Sequence, residues 1–243
     1  MSDRHSVLLV HGMSSSQSTW WRVGPQLDSL GWDVTSVDLA GHGGRPLGPV
    51  RSVVDLAQDV ARRCPEGRTV VVGHSLGAIV ALELVTLLPA YARGVLLEDP
   101  PALRRDRASD DIAEEIGREV VRARADPHVA IAAILAGHPG WTRRDARSVL
   151  EGRLQTDPVL ARLSPGAITW DLTALVADSP VPVAVLAAAG ADSALLEPDR
   201  SELRRQLPPG RLSEVPGSHH VHLDEPDAWV EAVDRFGCSL NEH

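Results

Sequence analysis

Six short apolar runs recur along the chain at Ser6–Val10, Asp33–Val37, Thr69–Val72, Gly94–Leu97, Val181–Ala187 and Arg211–Val215. Their apolar character is close to continuous, not alternating. Strands of that kind are covered on both faces, as in a parallel sheet between helices. Helical patterns separate them at about Trp20–Leu30, Ser52–Arg63, Leu76–Leu88, Pro198–Leu207 and Asp227–Phe236. Alternating strand and helix predicts an α/β fold of three layers, with right-handed crossovers and a mostly parallel sheet of about six strands. Ligands of such sheets sit at the carboxyl ends of the strands.

One interval breaks the rhythm. Between Pro100 and about Ser179 no strand is predicted, and helical patterns occur near Asp110–Arg124, His128–Ala136, Thr142–Leu154 and Asp157–Leu163. That is far more chain than a connection needs. The expected organisation is one core domain, residues 1–99 and 180–243, with 100–179 inserted after the fourth strand as a helical cap over the site. The insertion has too few apolar residues for a separate core.

Composition narrows the functions. At 243 residues and 43% hydrophobic content, the chain is long enough for one domain with a full core. A net charge of −9 disfavours nucleic acid and anionic membrane as partners. All 24 basic residues are Arg, so Schiff-base and other lysine-dependent chemistry is excluded. Cys64 and Cys238 make no disulfide framework, and the histidines have no metal-like spacing, so neither a metal nor a cofactor is expected. The N-terminal Met1–His5 leads into an apolar run too short for a signal sequence or membrane span, so the expectation is a cytoplasmic protein, monomer or homodimer.

The chemistry is expected at Gly73-His74-Ser75-Leu76-Gly77, between the run Thr69–Val72 and the helical Ala78–Leu82. This is the strand, sharp turn and helix that a G-x-S-x-G nucleophile requires. The turn presents the serine Oγ above the sheet, and glycines flank it where side chains would collide. The helix that begins there aims free N–H groups and its positive dipole end at a developing oxyanion. A first strand ending in His11-Gly12-Met13 supplies the second oxyanion donor, so Met13 and Leu76 are the candidate N–H groups.

Together, His11-Gly12, Trp20, Leu27 to Gly31, Val37-Asp38-Leu39-Ala40-Gly41-His42-Gly43 and the Ser75 turn resemble the α/β-hydrolase superfamily. The resemblance runs from about Ser6 to Leu97 and from about Val181 to Trp229. The short lead-in to the first strand is similar to the plant methyl-esterase and hydroxynitrile-lyase group. The lyases of that group use a lysine that this chain lacks.

The resemblance implies a catalytic histidine late in the chain. Aligning Leu223-Asp224-Glu225-Pro226 to the family pattern selects His219 over His220 and His222. The triad acid has competing positions. Asp192, 27 residues before His219, is the commonest family location and is preferred here. Asp99, 24 residues after Ser75, matches an alternative location used by some lactonases and dehalogenases, and Glu98 beside it is the third choice.

Trp20 and Trp141 are the candidate substrate-binding residues, since Trp at a predicted mouth or cap suits an apolar substrate. Arg143 and Arg144 read as a solvated face. The expected function is hydrolysis of an ester, lactone or thioester of an apolar small molecule through an acyl-enzyme. The alternatives are a C–C bond hydrolase, a cofactor-free lyase or cyclase, and a non-catalytic binding member of the fold.

Overall fold

The computed structural model describes residues 5–64, 69–101, 107–160 and 170–240, with the backbone alone for 107–114. Six strands form one sheet: β1 (Ser6–Val10), β2 (Asp33–Val37), β3 (Thr69–His74), β4 (Ala92–Glu98), β5 (Val183–Ala188) and β6 (Leu212–Val215). They lie in the order β2-β1-β3-β4-β5-β6, and every pairing is parallel.

Why the strands are apolar on both sides is visible in the packing. Leu8, Val10, Val71, Val95, Leu97, Val183 and Val185 enter one buried cluster with helices α2 (Val53–Ala61) and α3 (Leu76–Leu87). Their alternate neighbours Val7, Leu9, Val70, Val72, Leu96, Ala184 and Leu186 enter a second cluster with helices α1 (Val23–Ser29) and α10 (Pro226–Ser239). The two-residue period of a strand thus sends successive side chains into two cores, and three layers result.

Between β4 and β5 the described chain forms only helices: α4 (Arg107–Ala125), α5 (Pro127–Gly137), α6 (Arg143–Leu154) and α7 (Leu172–Ala177). Local chemistry starts them. Asp126 caps α5 by accepting from His128 N and Val129 N, and Thr142 and Asp145 form a reciprocal capping box on α6. Three of these helices share a small core of Ala123, Ile134, Trp141, Ala146, Val149 and Leu150, closed by Leu223 from the main domain. After β5 come α8 (Asp199–Gln206) and, beyond β6, the short α9 (Val221–Asp224).

Several expected boundaries move. β5 begins two residues late because Pro180 and Pro182 precede it, and proline has no N–H for a ladder. The helix expected at Trp20–Leu30 is instead a 3-10 turn, η1 (Gln17–Trp21), followed by α1. The helix expected at Asp157–Leu163 lies partly outside the described residues. Its described part is a turn in which Asp157 N donates to Gly41 O and Asp157 Oδ2 accepts from Leu47 N. Helix α7 had no sequence signal beyond the capping Asp171.

Candidate active site

Parallel register builds the site. His74 of β3 pairs with Glu98 of β4, so the next residues, Ser75 and Asp99, leave adjacent strands side by side. Ser75 has φ +52° and ψ −123°, a left-handed conformation that costs a non-glycine residue of order 1 kcal/mol or more. It persists because the turn is held on both flanks. Ser75 N donates to Glu98 O at 3.0 Å, and Ala78 N donates back to Ser75 O at 2.9 Å. The flanking glycines are required by contact. A Cβ on Gly73 would stand 2.2 Å from Gly77 O, and one on Gly77 would stand 2.2 Å from Val10 O. The turn therefore closes backbone against backbone, and α3 starts at Leu76 with no side-chain cap on its first N–H groups.

The first strand's loop comes up against the same turn. A Cβ on Gly12 would lie 3.0 Å from Ser75 Cβ and 2.9 Å from His74 Nδ1. His11 is fully buried, and its tautomer follows from its partners. Leu39 N donates to Nε2 at 3.1 Å, so the ring proton sits on Nδ1, which donates to Gly12 O at 2.8 Å. That bond fixes the peptide plane joining Gly12 to Met13, and so the direction of the Met13 N–H. Burial pushes the His11 imidazole down to about 4, outweighing the Gly12 hydrogen bond, and keeps it neutral.

His219 is carried by the loop after β6. Its Nδ1 lies 2.6 Å from Asp99 Oδ2. Asp99 is fully buried, and its carboxylate also accepts from Ser193 Oγ at 2.6 Å, Ala194 N at 2.8 Å and Ala188 N at 3.0 Å. Burial alone would raise the Asp99 carboxyl. The His219 contact and the donors from Ser193 and Ala194 outweigh it and hold the group below the usual carboxylate range. Asp99 itself has φ +40°.

The preference for Asp192 as partner of the histidine ring is corrected by this geometry. Asp192 is exposed and reaches only the backbone N–H of His219, at 3.4 Å. The loop after β5 is turned so that Ala188, Ser193 and Ala194 donate to Asp99; it cradles one acid instead of presenting another. Glu98, the third candidate, points to the other side of the strand end and binds His222 Nδ1 at 2.7 Å.

The three late histidines separate cleanly. His219 pairs with Asp99, and His222 is fully buried on Glu98. His220 meets Trp141 edge-on at 5.5 Å between ring centroids, and burial lowers its pKa further than the neighbouring imidazoles do. Sequence spacing gave no metal grouping, yet His74, Glu98 and His222 bring ligand-type atoms within 4.8 Å of one another. Both oxygens of Glu98 and both ring nitrogens of His222 are already committed to hydrogen bonds with each other, Thr19 and Trp229.

The two tryptophans part company. Trp20 is 3% exposed and packs on His222 and Trp229 within the helix-covered core, so its assignment to the substrate is corrected. A residue on a 3-10 turn at the expected mouth looked external in sequence, but the turn rolls it inward. Trp141 stands over the histidine loop. It stacks on His138 at 3.8 Å, and its Nε1 donates to Asp224 Oδ1. Trp21, Arg143, Arg144 and Arg147 line a separate cleft of about 770 Å³ that includes neither Ser75 nor His219.

The chain belongs to the alpha/beta hydrolase family, whose sequence model matches residues 7–232. Among its relatives, Esterase Rv0045c of Mycobacterium tuberculosis is 27% identical over 255 residues, covering 93% of this chain and 80% of that protein. Methylesterase 7 of Arabidopsis thaliana is 23% identical over 140 residues, which are 51% of this chain and 54% of the relative; the match thus spans about half of each. Solved structures share the fold. One is a carboxylesterase study target from the thaumarchaeon Nitrososphaera gargenis, with a TM-score of 0.77 at 17% identity over 100% of this chain and 93% of that one. Another is a thermophilic esterase from Thermogutta terrifontis, with a TM-score of 0.74 at 19% identity over 97% and 90%. No described helix is long and apolar enough to cross a membrane.

Proposed function

We propose that the chain hydrolyses an ester, lactone or thioester of an apolar small molecule, with Ser75 as nucleophile, His219 as base and Asp99 as the acid behind it. The observation that carries this reading is the 2.6 Å contact of His219 Nδ1 with the buried Asp99, next to a serine held at φ +52° on the adjoining strand end. The relatives named as esterases support the same class.

In this reading Asp99 only accepts hydrogen bonds, so the His219 proton stays on Nδ1 and Nε2 is left basic. Ser75 Oγ attacks the substrate carbonyl while Nε2 takes the hydroxyl proton. The carbonyl oxygen becomes an oxyanion and receives the N–H groups of Met13 and Leu76. Collapse of the tetrahedral intermediate breaks the bond to the alcohol or thiol, which leaves with the proton from Nε2. Water, deprotonated by the same nitrogen, then attacks the acyl-enzyme, and Ser75 regains its proton as the acid departs. Helices α4–α7, with Trp141 above the histidine loop, serve as the cap that selects an apolar acyl or alcohol part.

p-Nitrophenyl acetate and butyrate supply the test. Wild-type protein should release p-nitrophenolate catalytically, and folded Ser75→Ala should lose at least about a thousandfold of that rate. Equal rates in the two proteins would remove Ser75 from the reaction.

A further inference from the structure

The residue before the nucleophile, the residue before the acid and the third residue after the histidine meet in a buried polar network under the site. Glu98 and His222 are each 0% exposed. Glu98 Oε1 accepts from His222 N at 3.0 Å and faces His222 Nδ1 at 2.7 Å, while Oε2 accepts from Trp229 Nε1 at 2.8 Å. A carboxylate only accepts, so the His222 proton lies on Nδ1. In the neutral ring, Nε2 then takes the hydroxyl hydrogen of Thr19, 2.7 Å away. Thr19 belongs to η1, just after the Met13 loop, and its own N–H donates to Ser16 O. The side chain of His74 donates from Nε2 to the carbonyl of His219 at 2.9 Å.

Each loop of the site is therefore tied to this network by a residue that touches no substrate. The histidine loop is fixed twice, at the His222 backbone and ring by Glu98 and at the His219 carbonyl by His74. One tie sits on the carbonyl of His219 itself and the other three residues further on, and together they restrict the swing of its 22% exposed side chain.

We infer that Glu98 and His222 are positioning residues, a second acid–histidine pair whose task is to hold the His219 loop and the Met13 side of the site in register with Ser75. The inference rests on the nucleophile reading above. Displacing a reacting group by about 1 Å costs on the order of a hundredfold in rate, so the pair is expected to act on kcat and leave KM largely alone.

Amide variants of His222 dissect it. Asparagine puts its amide where the ring has Nδ1 and keeps the Glu98 end; glutamine puts it where the ring has Nε2 and keeps the Thr19 end. Glu98→Gln turns one acceptor into a donor facing donors. The experiment measures p-nitrophenyl ester kinetics and the rate of fluorophosphonate labelling, normalised to folded protein by near-UV circular dichroism. It also follows the downfield proton resonance of the His219–Asp99 hydrogen bond, assigned by its loss in Asp99→Asn.

Glu98→Gln and His222→Gln are expected to lose about tenfold or more in kcat and labelling rate with KM changed by less than about twofold, and to shift or broaden the resonance. His222→Asn, which keeps the Glu98 tie and gives up only the Thr19 tie, should lose measurably but less than His222→Gln, about threefold to tenfold in kcat. If Glu98→Gln does not fold, the two His222 variants carry the comparison. Folded Glu98→Gln or His222→Gln with wild-type rates and an unmoved resonance would overturn the inference. A wild-type protein that takes no probe would instead overturn the nucleophile reading, and the resonance alone would then decide the positioning role.

Discussion

Asp99 is fully buried, yet what surrounds it holds its carboxyl below the usual carboxylate range. An isolated carboxylate there would neutralise itself by taking up a proton. Contacts from His219, Ser193, Ala194 and Ala188 replace the water it has lost. Asn in its place would present a donor to some of those donors and would favour the wrong tautomer of His219. Asp99→Asn is expected to lower kcat by about 10³- to 10⁴-fold, whereas Asp192→Asn should cost less than about tenfold. Steady-state ester hydrolysis by the two variants decides it, and the reverse ranking would return the role to Asp192. In sequence the two acids were close rivals, and the preference went to Asp192. Both follow strands at family-like spacings, and the difference lies in where the loop after β5 directs its N–H groups, which depends on tertiary contact with β4. The strand, turn and helix around Ser75 were legible because their signal is local, two glycines between a strand and a helix, and the choice of His219 among the late histidines rested on an equally local Leu-acid-x-Pro stretch.

At the scale of elements, the β3–α3 turn is fixed by contact distances that no side chain satisfies. Gly73→Ala would drive a Cβ into Gly77 O from 2.2 Å, between two backbones with nothing flexible to yield. It should destabilise the fold by about 3 kcal/mol. Gly137→Ala, at the last position of α5 with no atom within 4 Å of the added carbon, should instead stabilise by about 0.5 kcal/mol. Urea denaturation of the two variants checks both signs. The elements most poorly read from sequence were those whose course is set by contacts far along the chain. η1 breaks from α1 and buries Trp20 against Trp229, a residue about two hundred positions away. Asp157 forms a turn because Gly41 and Leu47 offer it partners. By contrast, α5 and α6 lie within a residue of the helical patterns expected near His128–Ala136 and Thr142–Leu154, since their Asp126 and Thr142 caps act over only a few residues.

For the whole molecule, near-continuous apolar strands sufficed to predict a parallel sheet of six, because covering both faces leaves few other architectures. The charge state of the interior was not predictable in the same way. Three fully buried imidazoles are held low by burial, His11 at about 4 and His42 and His74 at about 3. In the unfolded chain each titrates near 6.5. The unfolded state therefore binds more protons below that value, so stability is complete above about pH 6.5 and falls as pH drops toward 4. At pH 5 the loss is on the order of 2 kcal/mol per imidazole. Urea midpoints at pH 7.5 and pH 5 should differ accordingly, with net proton uptake on acid unfolding. Equal midpoints would mean that these rings are already charged, or not buried, in the native protein.

All of the proposed chemistry depends on Ser75 being an activated nucleophile. Incubation with an alkyl fluorophosphonate, followed by intact-mass and peptide mass spectrometry, tests it directly. One adduct per folded chain is expected, located on Ser75, absent in Ser75→Ala and strongly slowed in Asp99→Asn. A folded wild-type chain that remains unmodified, or that carries the adduct on another residue, would contradict it.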